Sequence, residues 1–464
     1  MSSLQKVFVL TRHGERERLV KHSHKLQERG QDPPLSQGAL LELSRLAAAL
    51  RERYLLSPTC SLTSSCLGSV EEVREATLAQ SSGLARTLGT AETVLHALFV
   101  DANQSSDAGL TLPVPVYSRQ DQLDTVLRAY TKCPAHSERI LRWYGTREFA
   151  QKEEESMQLR HDVHSALSLI LPPEDLPEPI DGATPLRDWW NAFDALNVAL
   201  NNGSRSIGSP IRNELSSLLT EARKLVSWLE ARKFGRELTS ATCGSSILRK
   251  ISEAIANAED GMRLYYYSAH YPTILCTLSA LGIAVDSGDS ADDWLGRHLL
   301  PTGSALVLEV NSDNEVELLL WYDEDEFGAN LETLSAGWRP LRTPCGSGGT
   351  NDTHCHIDDF RAHVNSQVLA SDAEWCSACK NVDLDVCKVE LLQGRVPIGG
   401  AVAAAILVSG AILAIGCACL MYLNKRWRTK RARNPVVTEI KGWSLPGAVT
   451  PPQPEASSGD RRRI

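Results

Sequence analysis

The chain has 464 residues, of which 42% are hydrophobic and 23% charged, with a formal net charge of -9 at pH 7; these values are ordinary for a globular protein and leave room for two domains or for one large domain with appendages. Residues 424–464 contain ten Lys or Arg residues against three acidic ones, a net charge of +7, so residues 1–423 carry -16. An acidic body offers no basic groove to a nucleic acid backbone, so nucleic acid is not expected as a partner.

The first predicted element is a buried strand at Val7–Leu10, an apolar run that leads into the turn Arg-His-Gly-Glu-Arg. Gly14 permits a tight turn there, and ligand sites of open α/β sheets lie at the carboxyl ends of such strands. Arg12 and Arg16 can offer planar, permanently charged donors to a phosphate, and His13 between them can attack phosphorus as a nucleophile. A solvated basic turn is the alternative, because Arg-rich turns are common.

Helical patterns dominate the next two hundred residues. Ser36 is a suitable cap for a helix that continues to Tyr54, and a second amphipathic stretch covers residues 84–98. The prolines within residues 113–117 favour an extended segment. From about residue 135 to residue 250 the periodicity is helical with few strand-like runs, which predicts a helical insert.

A second strand that ends in histidine is predicted at Arg263–His270, followed by a helical run to Leu281. His13 and His270 would meet at one sheet edge if their strands are parallel neighbours. A lone histidine after a strand is more often an ordinary hydrogen-bonded residue, but the matching partner favours a site. Residues 305–310 and 316–321 alternate as two further strands joined by a hairpin turn.

Residues 396–423 contain no charged residue over 28 positions, which is long enough for a helix to span a bilayer. The basic residues that follow place the C-terminus in the cytosol by the positive-inside rule, so a type I topology with residues 1–395 lumenal or extracellular is predicted. The basic, proline-containing segment 424–464 is predicted to be a disordered cytosolic tail. Residues 1–6 resemble no signal peptide, so we expect the start of the chain to be incomplete.

Two further features agree with an oxidising compartment. Asn103, Asn202 and Asn351 begin glycosylation sequons. Ten of the twelve cysteines precede the predicted span, and five of them cluster shortly before it, as expected of disulfides. Two alternatives remain open at this stage: a zinc site formed by Cys376 and Cys379 with His354 and His356, and a free core thiol at Cys276.

These residues resemble the histidine acid phosphatase family over about residues 4–390. The matching motifs are Arg12-His13-Gly14-Glu15-Arg16 for Arg-His-Gly-x-Arg-x-Pro, Leu35-Ser36-Gln37-Gly38 for Leu-Thr-x-x-Gly, and Ser268-Ala269-His270 for the Ser-Ala-His-Asp block. Membrane-anchored lysosomal members are the most similar in layout.

The resemblance implies an α/β fold with a mixed sheet flanked by helices, formed by residues 1–134 and 243–345. Residues 135–242 would form a helical cap, residues 346–395 a cysteine-bearing stalk, and one C-terminal helix would cross the membrane. The implied location is endosomal or lysosomal, with the plasma membrane left open, and a homodimer is also left open.

The implied reaction is hydrolysis of a phosphomonoester through a phosphohistidine on His13. Arg12, Arg16 and His270 would hold the phosphoryl oxygens, and no metal or other cofactor would be needed. The resemblance also implies pairing of Cys133 with Cys376 or Cys379, and of Cys345 with Cys355.

Three positions depart from the family pattern. Tyr271 stands where the family has the aspartate that acts as general acid, and Gln80 stands where it has a third phosphate-binding arginine. Arg18 replaces the signature proline and could refill the missing charge. Because general acid catalysis is typically worth about 10²- to 10⁴-fold, two hypotheses follow: an acid phosphatase impaired at Tyr271 and Gln80, or an inactive pseudophosphatase that serves as a lumenal anion-binding or trafficking glycoprotein.

Overall fold

A computed structural model describes residues 3–21, 28–29, 32–55, 66–100, 113–172, 176–201, 209–239, 241–257, 260–283, 299–323, 337–345 and 353–389. The chain divides into two units, residues 1–394 and 395–464, and all described residues belong to the first. The predicted membrane span, the tail and the three sequon asparagines, Asn103, Asn202 and Asn351, lie outside the described residues. Among the helices that the structure does describe, none combines the length and apolar character needed to cross a membrane.

The centre of the fold is a mixed sheet of eight strands. The strands of the chain, in order, are β1 (Leu4–Arg12), β2 (Val20–Lys21), β3 (Glu28–Arg29), β4 (Thr77–Ser82), β5 (Val116–Arg119), β6 (Leu264–Ala269), β7 (Ala305–Asn311), β8 (Glu315–Tyr322), β9 (Gly337–Leu341) and β10 (His354–His356). The sheet order is β10-β8-β7-β1-β6-β4-β5 with β9 also paired to β8, while β2 and β3 form a separate ribbon. β1, β6, β4 and β5 are parallel, and β7 and β8 run antiparallel to their neighbours.

Helices cover both faces of this sheet, which confirms the predicted fold class of a mixed sheet flanked by helices. The helices are α1 (Gln37–Tyr54), α2 (Val70–Glu75), α3 (Ala85–Phe99), α4 (Pro134–Tyr144), α5 (Arg147–Glu155), α6 (Met157–Ser168), α7 (Trp189–Asn201), α8 (Ser209–Phe234), α9 (Arg236–Thr239), α10 (Ser245–Ala256), α11 (Tyr271–Ala280), α12 (Ile357–Gln367) and α13 (Asp372–Cys379). The helices from α4 to α10 lie between β5 and β6. Those from α4 to α9 fall in the region predicted as a helical cap, whereas α10 begins after residue 242, where the cap was predicted to end.

The alternation of side chains along β1 explains why both faces are covered. Val7 and Val9 pack with α1 and α3 in one apolar cluster, whereas Phe8 and Leu10 pack in a second cluster with the helices of the insert. Successive strand residues point to opposite faces, so the four consecutive apolar residues from Val7 to Leu10 require a helical layer on each side.

Four disulfides have both cysteines among the described residues: Cys133–Cys379, Cys243–Cys276, Cys345–Cys355 and Cys376–Cys387. The first of them joins residues 246 positions apart in the chain. The first and third confirm pairings implied by the family resemblance. The suggestion of a free thiol at Cys276 is wrong, because Cys243 at the start of the α10 region lies against α11. A zinc site at Cys376 and Cys379 is also excluded, since both sulfurs are in disulfides.

The described part of the segment predicted as a stalk, residues 353–389, is packed against the rest of the unit. Phe360 and Val364 of α12 belong to the main apolar core, and Trp375 of α13 is buried with its Nε1 donating to the carbonyl of Thr242 at 2.6 Å. This segment therefore contributes to the fold that holds the α10 and α11 region in place.

Candidate active site

The backbone amides of the turn after β1 donate hydrogen bonds to two other segments of the chain. The amide of His13 donates to the carbonyl of Ala269 at 3.0 Å, and the amide of Gly14 donates to Oγ1 of Thr90 in α3 at 3.0 Å. A Cβ at Gly14 would lie 2.9 Å from Cδ1 of Leu43 and 3.1 Å from Cβ of Ala39, so any larger residue would force α1 or its side chains to shift. Glycine at this position lets the turn approach α1 closely, which places the neighbouring histidine over the end of the sheet.

His13 and His270 lie side by side at the carboxyl ends of β1 and β6. Their ring centroids are 5.4 Å apart with an interplanar angle of 68°, and both side chains are buried. The parallel register that aligns Arg12 with Ala269 produces this contact. The prediction that the two histidines meet at one sheet edge is confirmed.

The environment of His13 leaves one ring nitrogen available for chemistry. Nδ1 lies 2.8 Å from the carbonyl oxygen of Gly14, which can only accept, so Nδ1 carries the proton and the lone pair of the neutral ring is on Nε2. Burial, followed by the nearby charges of Arg86, His270, Arg12 and Arg16, holds the pKa of His13 well below its usual value. A neutral imidazole with a free Nε2 is the form required of a nucleophile.

His270 is held by a hydroxyl group and a guanidinium. Its Nε2 lies 3.0 Å from Oγ of Ser82, at the end of β4, and 3.4 Å from Nη1 of Arg128. Burial and then the charges of Arg86, Arg128 and Lys21 lower the pKa of His270 well below the usual value. Because a bound phosphate would add negative charge beside both rings, its arrival would raise both pKa values again.

Three arginines of this region are paired with carboxylates from other segments. Both terminal nitrogens of Arg16 donate to Asp194 of α7, at 2.9 and 3.1 Å. Arg86, in the first turn of α3, is paired with Asp32, and Nε of Arg128 lies 2.5 Å from Asp121. These pairs compensate part of the positive charge and fix the guanidinium groups in place.

Arg12 is held differently. Nη1 of Arg12 donates to the carbonyl oxygen of Leu300, and its guanidinium lies 5.1 Å from the ring centroid of Tyr271. Arg12 also lines a cavity of about 420 Å³ beside Glu15, Glu42 and Arg45. Arg12 is the predicted site residue that borders this cavity.

Tyr271 is buried, and its hydroxyl group is committed to a carboxylate. The phenol donates to Oε2 of Glu230 in α8, while Nζ of Lys233 donates to Oε1 of the same carboxylate at 2.8 Å. Burial and the neighbouring Glu230 raise the pKa of Tyr271 well above its usual value. In this arrangement the phenol is a poor substitute for an aspartic acid.

The family model described as histidine phosphatase superfamily (branch 2) matches residues 25–322 of the chain. The chain belongs to this superfamily. The matched range contains His270 and Tyr271 and begins after the turn that carries Arg12, His13 and Arg16.

Solved structures of similar fold are also phosphatases of this type. Hafnia alvei phytase, in complex with myo-inositol hexakis sulphate and in its apo form, superposes with a TM-score of 0.51 at 17% sequence identity, covering 82% of this chain and 98% of the phytase. A multiple inositol polyphosphate phosphatase from Bifidobacterium longum is similar at 12% identity and a TM-score of 0.44, covering 80% of this chain and 94% of that protein. At these identities the likeness concerns the fold. No curated protein matches the chain.

The structure brings most of the predicted residues of this histidine phosphatase together. His13, His270, Arg12 and Tyr271 are linked by direct contacts, and Arg16 contributes charge to the same cluster. Arg18 lines a second cavity, of about 540 Å³, next to Val20 and Arg187. Gln80 lies in β4, paired in register with Tyr117 and Tyr267, two positions before the strand residue that contacts His270.

Several residues of the site were not found from the sequence. They are Lys21, Ser82, Arg86, Arg128, Asp194 and Glu230. Their contacts with the predicted residues span up to 250 positions of the chain, so spacing alone gives no signal for them. Arg86 is an exception, because it follows the departed position Gln80 by six residues and stands in the first turn of α3, from which its charge acts on both histidines. Among the described residues, no group of three or more His, Cys, Asp and Glu side chains is suited to a metal ion.

Proposed function

We propose that this histidine phosphatase hydrolyses phosphoric monoesters through a phosphohistidine on His13. The observation that supports this most is the His13 ring itself: it is buried, its Nδ1 is anchored to Gly14, and its lone pair is on Nε2 next to His270. Charges from Arg12, Arg16 and Arg86 surround it. A phosphohistidine mechanism needs these features at one point.

In the proposed reaction, Nε2 of His13 attacks phosphorus, a P–N bond forms, and the bond from phosphorus to the ester oxygen breaks. Arg12 and Arg16 stabilise the charge that spreads over the phosphoryl oxygens, since such a transition state is lowered mainly by fixed cations. Water then attacks the phosphohistidine, and phosphate leaves as the P–N bond breaks. Nδ1 keeps its proton throughout, because Gly14 holds it.

Because Tyr271 is a poor acid, the rate of the proposed reaction should depend on how much the leaving group of the ester needs a proton. Aryl esters depart with little need of a proton, whereas alkyl esters need one, and the Tyr271 hydroxyl group donates to Glu230. We therefore expect faster turnover of aryl phosphates than of alkyl phosphates. A pseudophosphatase that only binds an anion remains the competing proposal, and the position of Tyr271 is the observation in its favour.

We also propose that this unit works in an oxidising, lumenal or extracellular compartment and is anchored by residues 396–423. The four disulfides support this, because such bonds persist in oxidising environments and are rare in the cytosol.

The test is hydrolysis of 4-nitrophenyl phosphate by the full-length protein from about pH 4 to 7, with His13→Ala and, as a matched control, the exposed His96→Ala. We expect turnover that His13→Ala reduces at least about 10³-fold and that His96→Ala leaves unchanged. Alkaline quenching during turnover should trap phosphate on the peptide that contains His13. Phosphate binding without turnover that depends on His13 would instead establish the pseudophosphatase.

A further inference from the structure

The departing ester oxygen needs a proton in the proposed reaction, and Tyr271 does not offer one. The phenol hydrogen is directed to Glu230, and Glu230 also accepts from Lys233. Arginine cannot release a proton in proteins, which excludes Arg12 and Arg16 as the donor. Nε2 of His270 lies 3.4 Å from Nη1 of Arg128, which can only donate, so this nitrogen acts as an acceptor and not as the donor. The departing oxygen therefore needs a further acidic group, and this inference rests on the proposed function.

Lys21 lies beside Tyr271, where a proton donor is missing, and both its backbone and its side chain are held there. Its amide donates to Oδ1 of Asn191 at 2.9 Å, and its carbonyl accepts from Nδ2 of the same residue at 3.1 Å. Its ammonium lies 3.6 Å from the ring centroid of Trp190 and 4.8 Å from that of Tyr271. The helix α7 that carries Asn191 and Trp190 thus fixes both the backbone and the charged end of Lys21.

Hydrogen-bond direction shows which group in this cluster has a proton to give. Nζ of Lys21 lies 3.1 Å from Oη of Tyr271, and because an ammonium can only donate, the phenol oxygen accepts from Lys21 while its hydrogen goes to Glu230. The same ammonium acts electrostatically on His270. Arg12 and Arg16 lie over the rings of Tyr271 and Trp190, so Lys21 shares both aromatic supports with the proposed phosphate-binding arginines.

Two carboxyl groups near the site, Asp194 and Asp32, are already bound by other donors. Asp194 accepts from both terminal nitrogens of Arg16 and from the amide of Leu19, and Asp32 is paired with Arg86. The oxygens of these two carboxylates already accept hydrogen bonds from arginines and backbone amides, so their contacts hold other parts of the site in place.

We propose that Lys21 is the general acid of this chain. As the bond from phosphorus to the ester oxygen breaks, one N–H proton of the Lys21 ammonium passes to that oxygen, so the alcohol leaves neutral and Lys21 becomes an amine. In the second step the amine takes a proton from the attacking water, the oxygen of that water bonds to phosphorus, and the P–N bond to His13 breaks. Lys21 is an ammonium again and the cycle is balanced.

The energetics allow this transfer. An alkoxide binds a proton almost as strongly as hydroxide does, and the conjugate acid of hydroxide, water, has a pKa of about 15.7. The pKa of a lysine ammonium in water is about 10.4, so the ammonium is the stronger acid. Proton transfer to the departing oxygen is therefore downhill. The ordinary alternative is a structural lysine whose cation–π contacts stabilise the loop without a role in the chemistry.

The test compares leaving groups in the full-length protein with Lys21→Met, Lys21→Arg and, as a control, the exposed Lys224→Met. For Lys21→Met we expect kcat/KM to fall about 10²- to 10³-fold on glycerol 2-phosphate and less than about 10-fold on 2,4-dinitrophenyl phosphate, whose anion leaves without a proton. Lys21→Arg keeps the charge but has no transferable proton, so it should be as impaired on the alkyl ester as Lys21→Met. Lys224→Met should match the parent protein on both esters.

Equal losses on both esters would overturn the role of Lys21 as general acid and leave it a structural role. Rescue of alkyl ester turnover by Lys21→Arg would also overturn it and leave a purely electrostatic role. Retained turnover of the dinitrophenyl ester by the variants shows that they are folded. If the parent protein turned over neither ester in a manner that depends on His13, the proposed function would fall and this inference with it.

Discussion

At the scale of single residues, the site is a set of cations fixed by partners that differ in kind. Arg16 is paired with Asp194 and Arg86 with Asp32, whereas Arg12 and Lys21 lie against aromatic rings. Arg16 also lies over the ring of Trp190, so ion pairs and ring contacts together fix these cations. The guanidinium of Arg12 and the ammonium of Lys21 both lie beside the ring of Tyr271, where we place the departing group.

Tyr271→Phe separates the roles of Tyr271 and Lys21. The change keeps the ring but removes the hydroxyl group that donates to the buried Glu230, so we expect a loss of about 1–3 kcal/mol in the free energy of unfolding, measured with urea. The exposed Tyr117→Phe is the matched control and should change stability by less than about 0.5 kcal/mol.

Alkyl phosphate turnover by the same Tyr271→Phe variant should stay within about 10-fold of the parent, because Lys21 is the proposed donor and is still supported by Trp190. A selective collapse of alkyl turnover, with aryl turnover retained, would assign the proton to Tyr271 instead.

At the scale of elements, α7 binds the segment that runs from the turn after β1 through β2. Asn191 binds the backbone of Lys21 on both sides, and Asp194 accepts from Arg16 and from the amide of Leu19. One face of a single helix thus sets the positions of two charged residues that β1 and its turn alone would leave free to move.

Asn191→Ala tests this clamp. Removing both hydrogen bonds to the backbone of Lys21 should lower kcat for glycerol 2-phosphate about 10-fold or more, because the proposed donor is no longer held in position. The dissociation constant of inorganic phosphate should hardly change, since the arginines are untouched. A variant that weakens phosphate binding and leaves kcat intact would show that α7 acts on the binding of the anion and not on proton transfer.

The elements differ in how well the sequence predicts them, for physical reasons. β1 and β6 are continuous apolar runs because both of their faces are buried, and α1 begins with the predicted cap at Ser36, whose side chain accepts from Ala39. β4 was missed, because its sequence Thr-Leu-Ala-Gln-Ser-Ser has neither alternation nor an apolar run, although its last two serines are buried at the site.

His13 and His270 each stand at the end of a strand that the sequence predicts, so the nucleophile and its partner could be predicted from the sequence. Glu230, Asp194 and Lys21 could not, because their roles arise only when the helical insert packs on the sheet. Tyr271 illustrates the difference: the sequence shows that an aspartate is missing, and only the structure shows where the phenol hydrogen is directed.

At the scale of the whole molecule, buried histidines set an acid limit on stability. Burial lowers the pKa values of His13 and His270, and it lowers the pKa of His136 in α4 to about 4. In the unfolded chain these rings titrate near about 6.5. Between the two values the unfolded state binds more protons, so their contribution to stability is complete above about pH 6.5 and is lost as the pH falls.

His136→Gln should reveal this contribution. The shift of His136 from 6.5 to about 4 corresponds to about 3 kcal/mol of unfolding free energy that the parent protein loses on going from pH 7 to pH 4. Urea unfolding at several pH values should therefore show a smaller loss in His136→Gln, whereas the control His161→Gln, with its half-exposed ring, should follow the parent curve. Parallel curves for all three proteins would mean that His136 is protonated as readily in the folded state as in the unfolded chain.

The expected loss of stability in acid also bears on the proposed compartment. A protein that works at low pH must recover that stability elsewhere. The four disulfides, each typically worth about 2–4 kcal/mol, are large enough to supply it.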